Sequence, residues 1–165
     1  MSKCRSEPGN WVNCAAHQIN APILFSNFGN GLIFLKNLNQ VQQGYGWSFP
    51  EAWGIWSDGS SETLILPLPK GSPRILRIEA QGLISKSHPS VKMLIEINHL
   101  EKIWLNLTKE GSVKFDIPVP ANLSYPEFME IKFHFLNAAS PIEIGMPSSD
   151  TRKLALGLIS ATFLQ

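Results

Sequence analysis

The chain has 165 residues and a net charge of +1, from 14 Lys and Arg against 13 Asp and Glu, a length suited to one domain with a substantial core. Charged residues reach only 16%, against about 25% in typical globular proteins, and no cluster of Lys and Arg supplies the footprint that phosphate-backbone binding needs. Nucleic acid is therefore not expected as a partner, and no stretch approaches the roughly 18 apolar residues of a membrane span.

Residues 1–20 read as an N-terminal arm and residues 21–165 as a single domain. Cys4 and Cys14 both lie in the arm, at a spacing that matches no zinc or redox motif. No apolar run follows Lys3 and Arg5, so no signal peptide is read and a cytoplasmic location is expected; a signal-independent export route is compatible with the sequence.

From residue 22 onward, short β-rich runs recur between turn residues, which predicts an all-β sandwich or barrel with little helix. Weaker strand signals come first: Ile23 to Phe25, Leu32 to Leu35, Gln43 to Ser48 and Trp53 to Ser57. Stronger ones follow at Thr63 to Leu66, Arg74 to Ala80, Val91 to Asn98, Lys102 to Leu107, Ser112 to Val119, Phe128 to Leu136 and Lys153 to Leu164. Ile131, Phe133 and Phe135 alternate with Lys132 and His134, so one face of that strand is buried. Asn98 suits the left-handed conformation of a tight turn between two of the strands. Pro118, Pro120 and Pro126 belong at strand ends or in loops, because proline removes a ladder donor.

The least random stretch is residues 46–59, where Trp47, Trp53 and Trp56 stand among Gly46, Gly54 and Gly59, with Tyr45 and Phe49 close by. A four-residue loop from Phe49 to Ala52 would set Trp47 opposite Gly54 and Tyr45 opposite Trp56, with a large ring covering a residue that has no side chain. Trp47 and Trp56 are expected mainly as core. Trp53 beside Glu51 is the best candidate for a flat platform on which a sugar stacks its apolar face. Trp104 alternates with Ile103 and Leu105 and is assigned to the core.

Glu51, Asp58 and Asp150 are the carboxylates in the most patterned contexts. A pair of them would serve as acid and base for glycoside cleavage at the proper separation. The structural alternative pairs Glu51 with Arg152, tying the hairpin to the C-terminal strand, while Asp58 and Asp150 organise turns through backbone N–H groups. His17, His88, His99 and His134 show no ligand spacing, and no nucleophile elbow is present. No cofactor is expected; the alternative weighed is a structural calcium ion, to which Asp58 or Asp150 would contribute. The ligand-binding candidates are Trp47, Glu51, Trp53, Trp56, Asp58 and Arg152.

Two runs resemble a known family. The first is Gly46, Trp47, Ser48, Pro50, Glu51, Trp53, Gly54, Trp56, Ser57. The second is Ser140, Pro141, Ile142, Glu143, Ile144, Gly145, then Ser149, Asp150, Arg152, Leu154, Gly157. Both are similar to motifs of an accessory domain attached to bacterial glycosyltransferases and to membrane-bound sugar or phosphoglycerol transferases. Ala155 stands where that pattern has Gly directly after Leu154, and this chain carries no transferase portion. The resemblance implies a two-sheet antiparallel β-sandwich of jelly-roll type, like a carbohydrate-binding module, in contact with a glycan.

Three functions are weighed. The first is non-catalytic, lectin-like binding of a bacterial glycan. The second is a protein-interaction or scaffolding domain whose partner is a glycosyltransferase or another enzyme of polysaccharide synthesis. The third is a glycan-active hydrolase using Glu51 with Asp58 or Asp150.

Overall fold

The computed structural model describes residues 18–26, 46–121 and 128–165. Residues 1–17 of the arm, with its cysteines, Trp11 and His17, the strand expected at Leu32 to Leu35, and Tyr45 lie outside them. Within them the chain is all-β, with ten strands and no helix. The strands are β1 (Pro22–Leu24), β2 (Gly46–Trp47), β3 (Ile55–Asp58), β4 (Ser61–Pro67), β5 (Ile75–Gly82), β6 (Val91–Ile97), β7 (Glu101–Leu107), β8 (Ser112–Pro118), β9 (Phe128–Phe135) and β10 (Leu156–Leu164).

They form two antiparallel sheets packed face to face as a β-sandwich. One sheet runs β2-β3-β10-β5-β8, with β1 also paired to β10; the other runs β4-β9-β6-β7. The chain changes sheet at nearly every connection after β3, and β6–β7 is a hairpin within one sheet. Period-two patterning dictates the packing. In β4 the side chains of Leu64 and Leu66 are buried between half-exposed Thr63, Ile65 and Pro67, and in β6 Val91, Met93, Ile95 and Ile97 point inward. These meet Leu76, Ile78, Ala161 and Phe163 of the opposite sheet in one continuous core.

Asn98 and His99 turn the β6–β7 hairpin with φ of 47° and 59°, and the Leu100 N–H closes the turn on the Ile97 carbonyl at 2.9 Å. Asn98 also accepts the Glu130 N–H on Oδ1 at 2.6 Å. An asparagine tolerates the left-handed region and carries a side chain that anchors the turn to β9.

β10 is the strand that organises the site. Its register against β5 shifts between Leu158 and Ser160, a bulge that bends the strand. On its other edge β10 is shared: β3 pairs with Gly157 and Leu158, and β1 pairs with Ser160 to Thr162. The bulged residue, Ile159, gives its carbonyl to the Phe25 N–H at 3.1 Å. The C-terminal strand begins later than its sequence suggests. Lys153 to Ala155 approach it outside the ladder, held by side chains of β3.

Candidate functional site

The aromatic hairpin forms, in a register different from the one its sequence suggests. Trp47 pairs with Ser57 and Gly46 with Asp58, and the Ser48 N–H reaches the Trp56 carbonyl at 2.8 Å. The loop is longer than four residues, and the N–H groups of Glu51 and Gly54 bond each other's carbonyls at 2.7 and 3.3 Å inside it. An odd shift of register exchanges faces, which redistributes the tryptophans.

Trp47 is core, 1% exposed, with its edge against Phe133 at a centroid distance of 6.0 Å. Its Nε1–H donates to the Thr63 carbonyl at 2.9 Å, so it has neither a face nor a donor for a ligand. This removes it from the binding candidates. Trp56 pairs with Gly157 and lies half-exposed on the outer face of the larger sheet, a correction to its core assignment. Trp53 stands edge-on to it, with centroids 5.2 Å apart and planes at 70°.

A ring does cover a glycine, but the pair is Trp53 over Gly157. A Cβ placed on Gly157 would come within 2.7 and 2.9 Å of the Trp53 ring carbons. Gly54 instead lets β3 approach β10, since a Cβ there would stand 2.0 Å from the Leu158 carbonyl oxygen.

The Trp53 Nε1–H donates to Glu51 Oε2 at 2.7 Å, and the other Glu51 oxygen lies 3.8 Å from Arg152 Nη2. The Arg152 guanidinium also holds Asp150 through Nε and Nη2, at 3.0 and 2.6 Å, and donates from Nη1 to Ser48 Oγ at 2.6 Å. The bidentate bond from Arg152 holds the Asp150 carboxyl below its ordinary range, and Asp150 in turn raises Arg152. Asp150 organises its own turn by accepting the Arg152 N–H at 3.0 Å.

Asp58 ties two segments. Its Oδ1 accepts the Lys153 N–H at 3.0 Å, and the Gly59 N–H returns a bond to the Lys153 carbonyl at 2.8 Å. Burial pushes the Asp58 carboxyl up, against the opposing pull of that N–H and of Arg152. One residue earlier, Ser57 Oγ accepts from the N–H groups of Ala155 and Leu156 at 3.2 and 2.9 Å. The carboxylates weighed for acid–base chemistry thus all hold structural partners.

The other half of the resemblance is a capped turn. The Ser140 N–H donates to Glu143 Oε2 at 3.1 Å and the Glu143 N–H to Ser140 Oγ at 3.3 Å, a reciprocal capping box. Gly145 closes the turn at φ 75°. Lys153 bonds the remaining Glu143 oxygen, which with the backbone bond lowers that carboxyl to about 2.

Trp104 overturns its core assignment. It is 67% exposed, because alternation sets it on the face opposite Ile103 and Leu105. That face is the outside of the smaller sheet, where Trp104 stands opposite Leu94, and Leu94 opposite His134. Lys102 and Asn106 flank the ring on its own strand, and Lys92 and Glu96 sit diagonally on β6. Glu96 draws Lys102 Nζ to 3.4 Å and His134 Nε2 to 3.3 Å. The bond from His134 lowers the Glu96 carboxyl despite its desolvation. The pattern of a tryptophan in step with Lys102 and Asn106 was the signal available for this surface.

Among the described residues no group of three or more His, Cys, Asp or Glu side chains is arranged to hold a metal ion, and no helix is long and apolar enough to cross a membrane. No protein-family model matches the chain, and no curated protein sequence matches it.

Proposed function

We propose that this protein is a non-catalytic carbohydrate-binding module, and that its ligand is a bacterial glycan stacked on Trp104. The observation that carries the reading is the 67% exposure of that ring on a sheet face, amid Lys92, Glu96, Lys102 and Asn106. A pyranose has an apolar C–H face that suits an indole plane and a hydroxyl rim that suits such side chains. The low content of charged residues fits a mostly uncharged ligand. The strand orders β3-β10-β5-β8 and β4-β9-β6-β7, with crossings between sheets, support the jelly-roll reading.

The test is a glycan array followed by titration calorimetry with bacterial surface oligosaccharides. Trp104→Ala is expected to weaken binding by about tenfold or more, roughly 1.4 kcal/mol, with the fold intact by circular dichroism. Absence of binding across the array refutes the reading. Binding that survives Trp104→Ala and is lost in Trp53→Ala moves the site to the hairpin.

A second reading, a protein-contact module serving enzymes of polysaccharide synthesis, is favoured by the hairpin tip, where Phe49 is 67% exposed beside exposed Pro50.

A further inference from the structure

β8 closes one side of the larger sheet. It pairs with β5 on one edge, and no described strand occupies the other. The Val119 N–H bonds the Arg74 carbonyl at 2.8 Å, which fixes the alternation of the ladder: Val113, Phe115 and Ile117 turn their N–H and C=O groups toward β5, and Ser112, Lys114 and Asp116 turn theirs outward. On the inner face Ile117 is buried, whereas Val113 and Phe115 are only half-buried at this open margin. Unpaired backbone and incompletely covered apolar side chains on one edge make a template for another strand.

The sequence of β8 selects that strand. Read outward from Phe115, it is Lys114 against Asp116, then Val113 against Ile117, then Ser112 against Pro118, a pattern complementary to itself when reversed. We propose that β8 pairs antiparallel with β8 of a second copy of this chain, across a two-fold axis at Phe115, joining the two larger sheets into one. Lys114 then faces the partner's Asp116, and Asp116 faces the partner's Lys114. Each outward N–H of Ser112, Lys114 and Asp116 meets a carbonyl, and the missing N–H of Pro118 falls at the end of the ladder.

The neighbouring strand extends the match. Lys114 stands opposite Glu79, and Asp116 opposite Arg77, which grips it at 2.8 and 3.0 Å. Across the axis the outer face therefore carries a row of alternating sign: Glu79, Lys114, the partner's Asp116, the partner's Arg77. Moving the axis by one residue along β8 sets Lys114 against its own copy or Asp116 against its own copy, and like charges directly opposite are unfavourable. Phe115 meets the partner's Phe115 on the inner face, where the pairing covers both.

Size-exclusion chromatography with light scattering over a concentration series tests this on the full chain. The wild type is expected to form a dimer. Lys114→Glu sets two carboxylates opposite each other at both symmetric positions and raises the dissociation constant by about tenfold or more. Lys114→Pro removes an outward N–H that the β5 ladder does not use, so it keeps the monomer fold by circular dichroism and also dissociates the dimer. A wild type that stays monomeric at its highest soluble concentration, or a dimer that Lys114→Pro leaves intact, overturns the proposal. Glycan binding by Trp104 is read separately, since that ring lies on the other sheet.

Discussion

Adding one methyl group at Gly157 should unseat Trp53 and open the hairpin. The Cβ of Gly157→Ala would stand 2.7 Å from the ring, so the indole must swing away from β10. It loses the Nε1–H bond to Glu51, worth about 1 kcal/mol for a charged acceptor that is partly solvated. It also exposes a half-buried ring, on the order of 100 Å² at about 25 cal/mol per Å², or roughly 2.5 kcal/mol. Together these losses come to roughly 3.5 kcal/mol. The Gly157 backbone does not enter the left-handed region, so alanine itself carries no strain there and restricts the unfolded chain, a gain of about 0.4–1 kcal/mol. In a Trp53→Ala background only Gln81 Cγ, 3.0 Å from the new methyl, still has to give, so Gly157→Ala should cost far less there than in the wild type. Urea denaturation of the four proteins of this double-mutant cycle, followed by circular dichroism, measures the coupling. Equal effects of Gly157→Ala in both backgrounds would refute the placement of Trp53 over Gly157.

Two predictions concern pH. Burial raises the Asp58 carboxyl above its unfolded value of about 3.9, so its contribution is fully present below that pH and is lost as pH rises through the folded pKa. Asp58→Asn keeps an acceptor for the Lys153 N–H, and its stability relative to wild type should improve from pH 3 to pH 7, as read by thermal melts across that range. Glu143 behaves oppositely. With its carboxyl held at about 2 by Lys153 and the Ser140 backbone, the stabilisation is present above the unfolded value of about 4.3 and lost as pH falls toward 2. Glu143→Gln should flatten the dependence of stability on pH in that acid window, and an unchanged slope would sink the assignment.

The sandwich was legible in the sequence because alternation is a local signal. The β6–β7 hairpin could be read with its turn residue, since Ile95 to Ile97, Asn98 and the following strand carry period and turn chemistry in consecutive positions. The tie between Glu51 and Arg152 was legible as one of two open readings. Hairpin register was not, because it depends on what β10 demands. Gly54 must face the Leu158 backbone and Ser57 must reach the N–H groups of Ala155 and Leu156, and these contacts span about a hundred residues of sequence. Trp104 was misassigned for another reason. Alternation with Ile103 and Leu105 places a residue on the opposite face from them, and the bulk of tryptophan is no evidence of burial when its own face carries Lys102 and Asn106.

The two runs that carry the family resemblance meet in space, and this decides how they are to be interpreted. Ser48, Glu51, Trp53, Trp56 and Ser57 come from the first, with Asp58 directly after it; Asp150, Arg152 and Gly157, with Lys153, Ala155 and Leu156 between them, come from the second. Contacts cross the gap at several points: Ser48 bonds Arg152, Glu51 stands 3.8 Å from the same guanidinium, Asp58 bonds Lys153, and Ser57 bonds Ala155 and Leu156. The motifs are two halves of one clasp that seats β3 on β10, and the chemistry of their residues is spent on each other. A surface left to meet a ligand must be sought where polar side chains surround an aromatic ring without consuming it. On the outer face of the smaller sheet, Trp104 meets that condition; on the hairpin, Trp53 gives its donor to Glu51 and one face to Gly157.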